Sequence, residues 1–325
     1  MSEELFENRT DIATLCNATN ALQAEIRKSL IGQNEMLHLI VAALLANGHV
    51  LIEGAPGVAK TLTAKLVAKS MQAGFNRIQF TPDLMPGDVL GTSIFNPGEE
   101  KFQFKPGPIF NNIILIDEIN RAPAKTQAAL FEAMEERQVT MDGITYKMEL
   151  PFIVLATQNP IEQEGTYRLP EAQLDRFLFK IVVPYPSQEE ETEILKWSHG
   201  LGSRTPVEAI NPVITKEQIL HLQQLSKEIV VEENLFQFIS KITVETRNNK
   251  SIYLGASPRA SLAILNAAKA FAALAGRDFV VPDDILYAVK PVLRHRIILT
   301  PEKEMEGITE DEVIDKIIQG LEVPR

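Results

Sequence analysis

The sequence predicts an α/β domain built on a parallel sheet, followed by an all-α domain. Three observations carry that prediction. Short apolar runs alternate with helical periodicity up to about residue 187. Beyond Pro184-Tyr185-Pro186-Ser187 the periodicity turns almost wholly helical. Between the first apolar run and the helical pattern after it lies a Gly/Pro turn, Gly54-Ala55-Pro56-Gly57.

In order along the chain, residues 10 to 30 read as a helix with Leu15, Leu22, Ile26 and Leu30 on one face. A turn at Ile31-Gly32-Gln33 leads to a second helix, Asn34 to Ala46, apolar along one side. Val50-Leu51-Ile52 reads as a buried strand and Leu62 to Met71 as a helix. Arg77 to Phe80 is a second strand, and Thr81 to Gly91 a punctuated short helix or loop. Ser93 to Phe110 alternates about Pro97-Gly98, a β-hairpin signal. Ile113 to Ile116 is a strand, and Ala124 to Glu136 a helix with Leu130, Phe131 and Met134 inward. Val139 to Tyr146 is a second hairpin around Asp142-Gly143, a favoured two-residue turn. Phe152 to Thr157 and Leu178 to Val183 are further buried strands. Helices are expected at 188–199, 215–228, 232–248, 258–275, 282–294 and 309–321. The domains are therefore expected to span 1–187 and 188–325.

A chain of 325 residues can bury two cores. No apolar run approaches the roughly 20 residues of a membrane span. Met1 to Glu7 is acidic and unlike a signal peptide, and Cys16 is the only cysteine, so a reducing cytoplasm is expected. Cys16 reads as a small core group. His38, His49, His199, His221 and His295 show no zinc spacing. The net charge of −11 argues against a nucleic-acid partner, which calls for a basic face.

The chemistry-bearing segment is Gly54-Ala55-Pro56-Gly57-Val58-Ala59-Lys60-Thr61, between a strand and a helix. Loop amides and a helix N-terminus cradle phosphate there. Lys60 can reach β- and γ-phosphates, and the Thr61 hydroxyl can hold Mg²⁺. The strict pattern has Gly where this chain has Ala59; a first-turn position with negative φ is expected to tolerate its Cβ. Ile113 to Ile116 runs into Asp117 and Glu118, at the strand end where open α/β sheets bind ligands. Asp117 is expected to hold Mg²⁺ and Glu118 to polarise the attacking water.

Asn159 ends another strand and can bond both water and γ-phosphate, although Asn159-Pro160 is also ordinary turn chemistry. Arg176 is expected to project away from its own loop, either toward a neighbouring subunit or onto a nearby acid. Ser257-Pro258 starts a helix well, which places Arg259 at its positive end, for a phosphate or for a surface ion pair.

Together the strings GAPGVAKT, TPDLMPGDVLGT, LIDEINRAPAKTQAALFEAMEE, ATQNPIEQEGTYRLPEAQLDRFLFK and GASPRAS resemble the MoxR family of AAA+ ATPases over nearly the whole chain. Arg168 departs from the Pro that family usually carries there. The resemblance implies a P-loop α/β domain with two inserted hairpins and a helical lid. It implies Walker A at Gly54 to Thr61, continued by Leu62, and Walker B at Asp117 and Glu118. Asn159 matches sensor 1, Arg176 the arginine finger and Arg259 sensor 2, with Ile31 and Gln33 by the adenine. ATP and Mg²⁺ are the implied cofactors, with the nucleotide between the large domain and the lid. A hexameric ring, a von Willebrand factor A domain partner and a client protein complex, with metal or cofactor insertion among the family's tasks, are the implied associations. Two other readings stand beside this one: a nucleotide-dependent switch with little turnover, and a DNA-associated motor.

Overall fold

The computed structural model describes residues 4–159, 169–202 and 204–324. Two helices, α1 (Glu4–Arg27) and α2 (Asn34–Leu45), precede the sheet. β1 (His49–Gly54) leads through the Lys60 loop into α3 (Lys60–Ser70), then β2 (Phe75–Gln79) and the short α4 (Pro86–Leu90). β3 (Gly91–Asn96) and β4 (Lys101–Pro106) form the first hairpin. β5 (Ile113–Asp117) and a 3-10 turn at Ile119–Arg121 lead to α5 (Ala124–Glu136). The second hairpin, β6 (Gln138–Met141) with β7 (Ile144–Lys147), turns on Asp142 and Gly143, whose φ of 52° and 79° suit the expected turn. β8 (Ile153–Gln158), α6 (Glu171–Leu174) and β9 (Phe177–Val183) complete the α/β region.

The main sheet is five-stranded and parallel, in the order β2-β5-β8-β1-β9. Both its faces are covered, which is why its central strands are apolar at successive positions rather than alternate ones. Val50, Ile52, Ile113, Leu115 and Leu155 belong to the core shared with α2 and α3, while Leu51, Ile114, Ile116, Val154 and Ala156 pack with α5. The two hairpins stand off the sheet and are tied to each other. Ser93 Oγ donates to Asp142, and Phe104 stacks on Tyr146 with ring centroids 4.1 Å apart.

The helical region follows as α7 (Gln188–Leu201), α8 (Lys216–Lys227), α9 (Glu233–Asn248), β10 (Ile252–Leu254), α10 (Pro258–Leu274), α11 (Pro282–Leu293), β11 (Ile298–Leu299), α12 (Pro301–Met305) and α13 (Glu310–Gln319). The β10–β11 ribbon is an addition to the almost wholly helical expectation. Segments of three and two residues are too short to carry a periodicity of their own. The apolar core runs unbroken from α1, α2 and the sheet into α8, α9, α10, α11 and α13. Polar links reinforce it: the buried Gln223 Nε2 donates to the Leu44 carbonyl at 2.7 Å, and Val213 N to that of Ser70 at 2.9 Å. Residue 187 thus marks a change of secondary structure, across which packing continues. The exception is α7, which is capped by Ser187 and Glu190 but has no buried residue. Among the described residues no helix is long and apolar enough to cross a membrane.

Candidate functional site

The site begins with a backbone requirement. β1 ends at Gly54, where a Cβ would stand 2.8 Å from the Val183 carbonyl oxygen of the neighbouring strand, so no side chain fits. Gly57 then takes φ +88° and Ala59 φ +59°, immediately before α3 begins at Lys60. Alternation of this kind turns successive amides to one side, an anion cradle at a helix N-terminus. This corrects the expectation of a negative φ at Ala59. The residue is the N-cap of α3 in the left-handed region, where a Cβ crowds the backbone. The preference for Gly at this place in the strict pattern has that physical origin.

Lys60 Nζ reaches back across the loop to the Gly54 carbonyl at 2.7 Å. Burial lowers its pKa, while Asp117, Glu118 and Glu53 oppose that fall. Lys60, Thr61, Asp117, Glu118 and Asn159 line one pocket, at the C-terminal ends of β1, β5 and β8. Parallel pairing of these strands brings residues far apart in sequence to one edge of the sheet. Thr61 hydroxyl and Asp117 carboxylate offer hard oxygen ligands of the kind Mg²⁺ takes. The position already suits a cation, because the Arg77 guanidinium lies 2.6 Å from Asp117 Oδ2. Thr157 Oγ1 holds the other oxygen, Oδ1, at 3.1 Å. Glu118 has φ +58°, an unusual conformation for a residue with a side chain. Its amide is held by Thr157 Oγ1 at 3.1 Å, and its Oε2 accepts from Gln79 Nε2 at 2.8 Å and pairs with Arg121 Nε at 3.0 Å.

Ile31 and Gln33 lie beside this edge. Gln33 caps α2 with φ 53° and donates to the carbonyl of Pro184, one residue beyond the β9 position paired with Gly54.

Arg176 and Arg259 are elsewhere. Both lie against Glu135, with Arg259 Nη2 at 3.1 Å and Arg176 Nε at 3.9 Å. Arg176 also donates to the Phe131 carbonyl, and its Nε has no hydrogen-bond partner. They share a shallow cleft with Asn47 and Gly48, the residues that precede β1. The Lys60 loop follows β1. At about 3.3 Å per residue a six-residue strand separates the two places by roughly 20 Å. The described lining of the Lys60 pocket comes from the α/β region, and the helical region meets the Gln33 edge where Glu190 lies against Gly32. The arginine end is cross-tied by hydrogen bonds. Asp175 accepts from Arg296 Nε at 2.7 Å and from Ser257 Oγ at 2.9 Å, which pins the start of α10 to the start of β9.

Comparison with known proteins bears on what these two ends belong to. Residues 49–179 match the ATPase family associated with various cellular activities (AAA), and residues 244–317 match the AAA lid domain. The chain is 44% identical over 310 residues to Chaperone MoxR1 of Mycobacterium tuberculosis, covering 93% of this chain and 81% of that protein. It is 48% identical over 299 residues to YeaC of Bacillus subtilis, covering 92% of each. A crystal structure from Cytophaga hutchinsonii superposes with a TM-score of 0.91 at 38% identity, covering 99% of each chain.

The chain belongs to the MoxR family of AAA+ ATPases. As a MoxR protein it has the AAA+ nucleotide-binding fold, with a parallel sheet flanked by helices and a helical lid. Four further residues at the two ends of this MoxR chain escaped sequence reading: Arg77, Gln79, Thr157 and Glu135. The signal for Arg77 and Gln79 was present in the alternation Arg77-Ile78-Gln79-Phe80, which puts two long polar side chains on one face of a strand. What the alternation could not give was pairing of β2 with the strand of Asp117. Glu135 sits in a helix rich in acids and carries no local mark. Arg168 lies outside the described residues.

Proposed function

We propose that this chain is an ATP-hydrolysing chaperone of the MoxR type, working with Mg²⁺ as a cytoplasmic ring of identical subunits, a hexamer in the family pattern. In this reading its task is to remodel or activate a client protein complex, metal or cofactor insertion included, together with a von Willebrand factor A domain partner. One observation carries the reading. Lys60, Thr61, Asp117, Glu118 and Asn159 meet in one pocket, while Arg176 and Arg259 are held together at the opposite end of the sheet. A subunit so built cannot bring its own arginines to its own phosphates, so each pocket is completed by the next copy. A contact between two different faces, repeated about an axis, gives a ring or a helical filament.

The roles follow from positions. The 54–61 loop amides and Lys60 grip the triphosphate. Thr61 and Asp117 hold the Mg²⁺, which supplies charge neutralisation at the phosphates. Glu118 orients and polarises the water, and Asn159 senses the γ-phosphate. Ile31 and Gln33 flank the base. Arg176 and Arg259 of the adjacent copy neutralise charge that develops on the transferred group. Gln79 and Arg121 hold Glu118 to one side, so engagement of the neighbour has a contact to break before the carboxylate faces water. In support of the chaperone reading stands the 44% identity to a protein called a chaperone.

Phosphate release by wild type and Glu118→Gln tests the enzyme claim. Turnover should fall about a thousandfold, with ATP binding kept. Equal turnover in the two would favour a nucleotide-dependent switch.

A further inference from the structure

We propose that α7 is an assembly element, which docks on the lid of the adjacent copy along a strip beside Arg259. The inference rests on the ring reading above. It concerns a surface that the reading leaves unassigned.

The α7 helix is anomalous in its own molecule. Its 14 residues include none that is buried. Yet Ile194, Trp197 and Leu201 recur at one-turn spacing, and Leu195, off this stripe and next to the Glu191 flank, is 71% exposed. A helix this short is marginal in water without an apolar face to pack. Acidic residues flank this stripe on both sides, Glu189 and Glu193 on one and Glu191 on the other, all exposed. The helix also starts at the pocket edge of the sheet. Its first turn places Glu190 against Gly32, next to the Gln33–Pro184 contact.

The lid carries the complement. Arg247 Nε donates to the Ala256 carbonyl at 2.8 Å, which lays this side chain along Gly255 toward Ser257, the cap of the helix that bears Arg259. Around it Lys250, Tyr253, Leu254 and Leu262 are exposed, Tyr253 and Leu262 at 77% and 61%. One strip is thus basic and apolar, and the unburied helix is acidic and apolar. Each is the chemical inverse of the other. The geometry of the two ends joins them. When Arg259 of one copy enters the pocket of the next, its strip arrives beside the elements that flank that pocket, among which α7 stands uncovered. The occupant is therefore a second copy of this chain.

The test is cross-linking in the full chain, in a Glu118→Gln, Cys16→Ser background with ATP and Mg²⁺. Leu195→Cys and Leu254→Cys are introduced together and joined with a short bis-maleimide. The expected product is an ATP-dependent ladder up to the closed ring, with either single substitution giving no ladder. In parallel, Glu191→Lys with Glu193→Lys should raise the concentration needed for assembly by at least about tenfold. Adding Arg247→Glu and Lys250→Glu to the same chain should restore it. Assembly of normal mass without cross-links or charge rescue overturns this inference and leaves the ring reading standing. A chain that stays monomeric with ATP overturns both.

Discussion

The two ends of the main sheet are made by different means, and the contrast is the main lesson of this structure. At the C-terminal end, function is built from backbone. Gly57, Ala59 and Glu118 all have positive φ, and the acids stand on strand ends. At the N-terminal end, the arrangement is built from side-chain networks. Glu135 and Asp175 hold the cations Arg176, Arg259 and Arg296 in place. One end is a loop and strand-end pocket, and the other a set of arginines held by acids; the proposed function joins them across two copies.

The sharpest way to break this contrast is to remove the presented charge. Arg176→Ala should cut phosphate release about a thousandfold or more, the range seen for arginine fingers, while leaving nucleotide affinity of the isolated subunit unchanged. Arg259→Ala should act in the same direction. Loss of nucleotide binding by the monomer in either variant, measured by fluorescence titration, would place these arginines on their own pocket.

A smaller effect concerns the scaffold of the arginine end. His49 is buried at the start of β1; its Nδ1 accepts from Val154 N and its Nε2 bonds the Met134 carbonyl. Burial lowers its pKa to about 4, with help from the nearby Arg137 charge. The imidazole is therefore neutral in the fold, and the unfolded chain takes up its proton first as pH falls. That stability is fully present above pH ~6.5 and is lost on the way down to pH ~4, about 3 kcal/mol in all. Denaturant titrations at pH 7 and pH 5 should show the loss, and a His49→Asn variant should show a flatter profile. An unchanged slope between the two would remove His49 as the cause.

The smallest expected effect sharpens the other end. Ala59→Gly removes a Cβ from a left-handed residue, and should raise stability by up to about 1 kcal/mol, or ~2 °C in Tm. Nucleotide affinity should stay within about twofold. A destabilised Ala59→Gly would mean that the methyl packs usefully against α3 rather than crowding the loop.

Much of this was legible in the chain because the signals were local. Strand, glycine loop and helix announce themselves within twenty residues, and so do the apolar run before Asp117 and the Asp142-Gly143 turn. The helices after residue 187 follow from periodicity and good caps such as Ser187, Thr215, Ser257 and Thr309. What failed depended on tertiary geometry. The positive φ of Ala59 is set by the amide cradle, and nothing in the residue itself signals it. Arg259 makes the surface ion pair that was one of its two expected roles, with Glu135; its place beside Arg176 depends on how the lid packs on α1 and α2, through contacts between residues hundreds apart in sequence. The partners Arg77 and Gln79 needed the strand order, which no single segment holds.

In the proposed ring one copy grips the triphosphate and the next completes its cleavage. Mixing tests it most directly. Lys60→Ala and Arg176→Ala should each be inactive alone, the first for want of bound nucleotide and the second for want of the lent charge. Mixed in equal amounts, they should regain phosphate release, because some interfaces then pair an intact pocket with an intact arginine. Two inactive variants that remain inactive at every ratio, while still co-assembling by mass, would contradict the account.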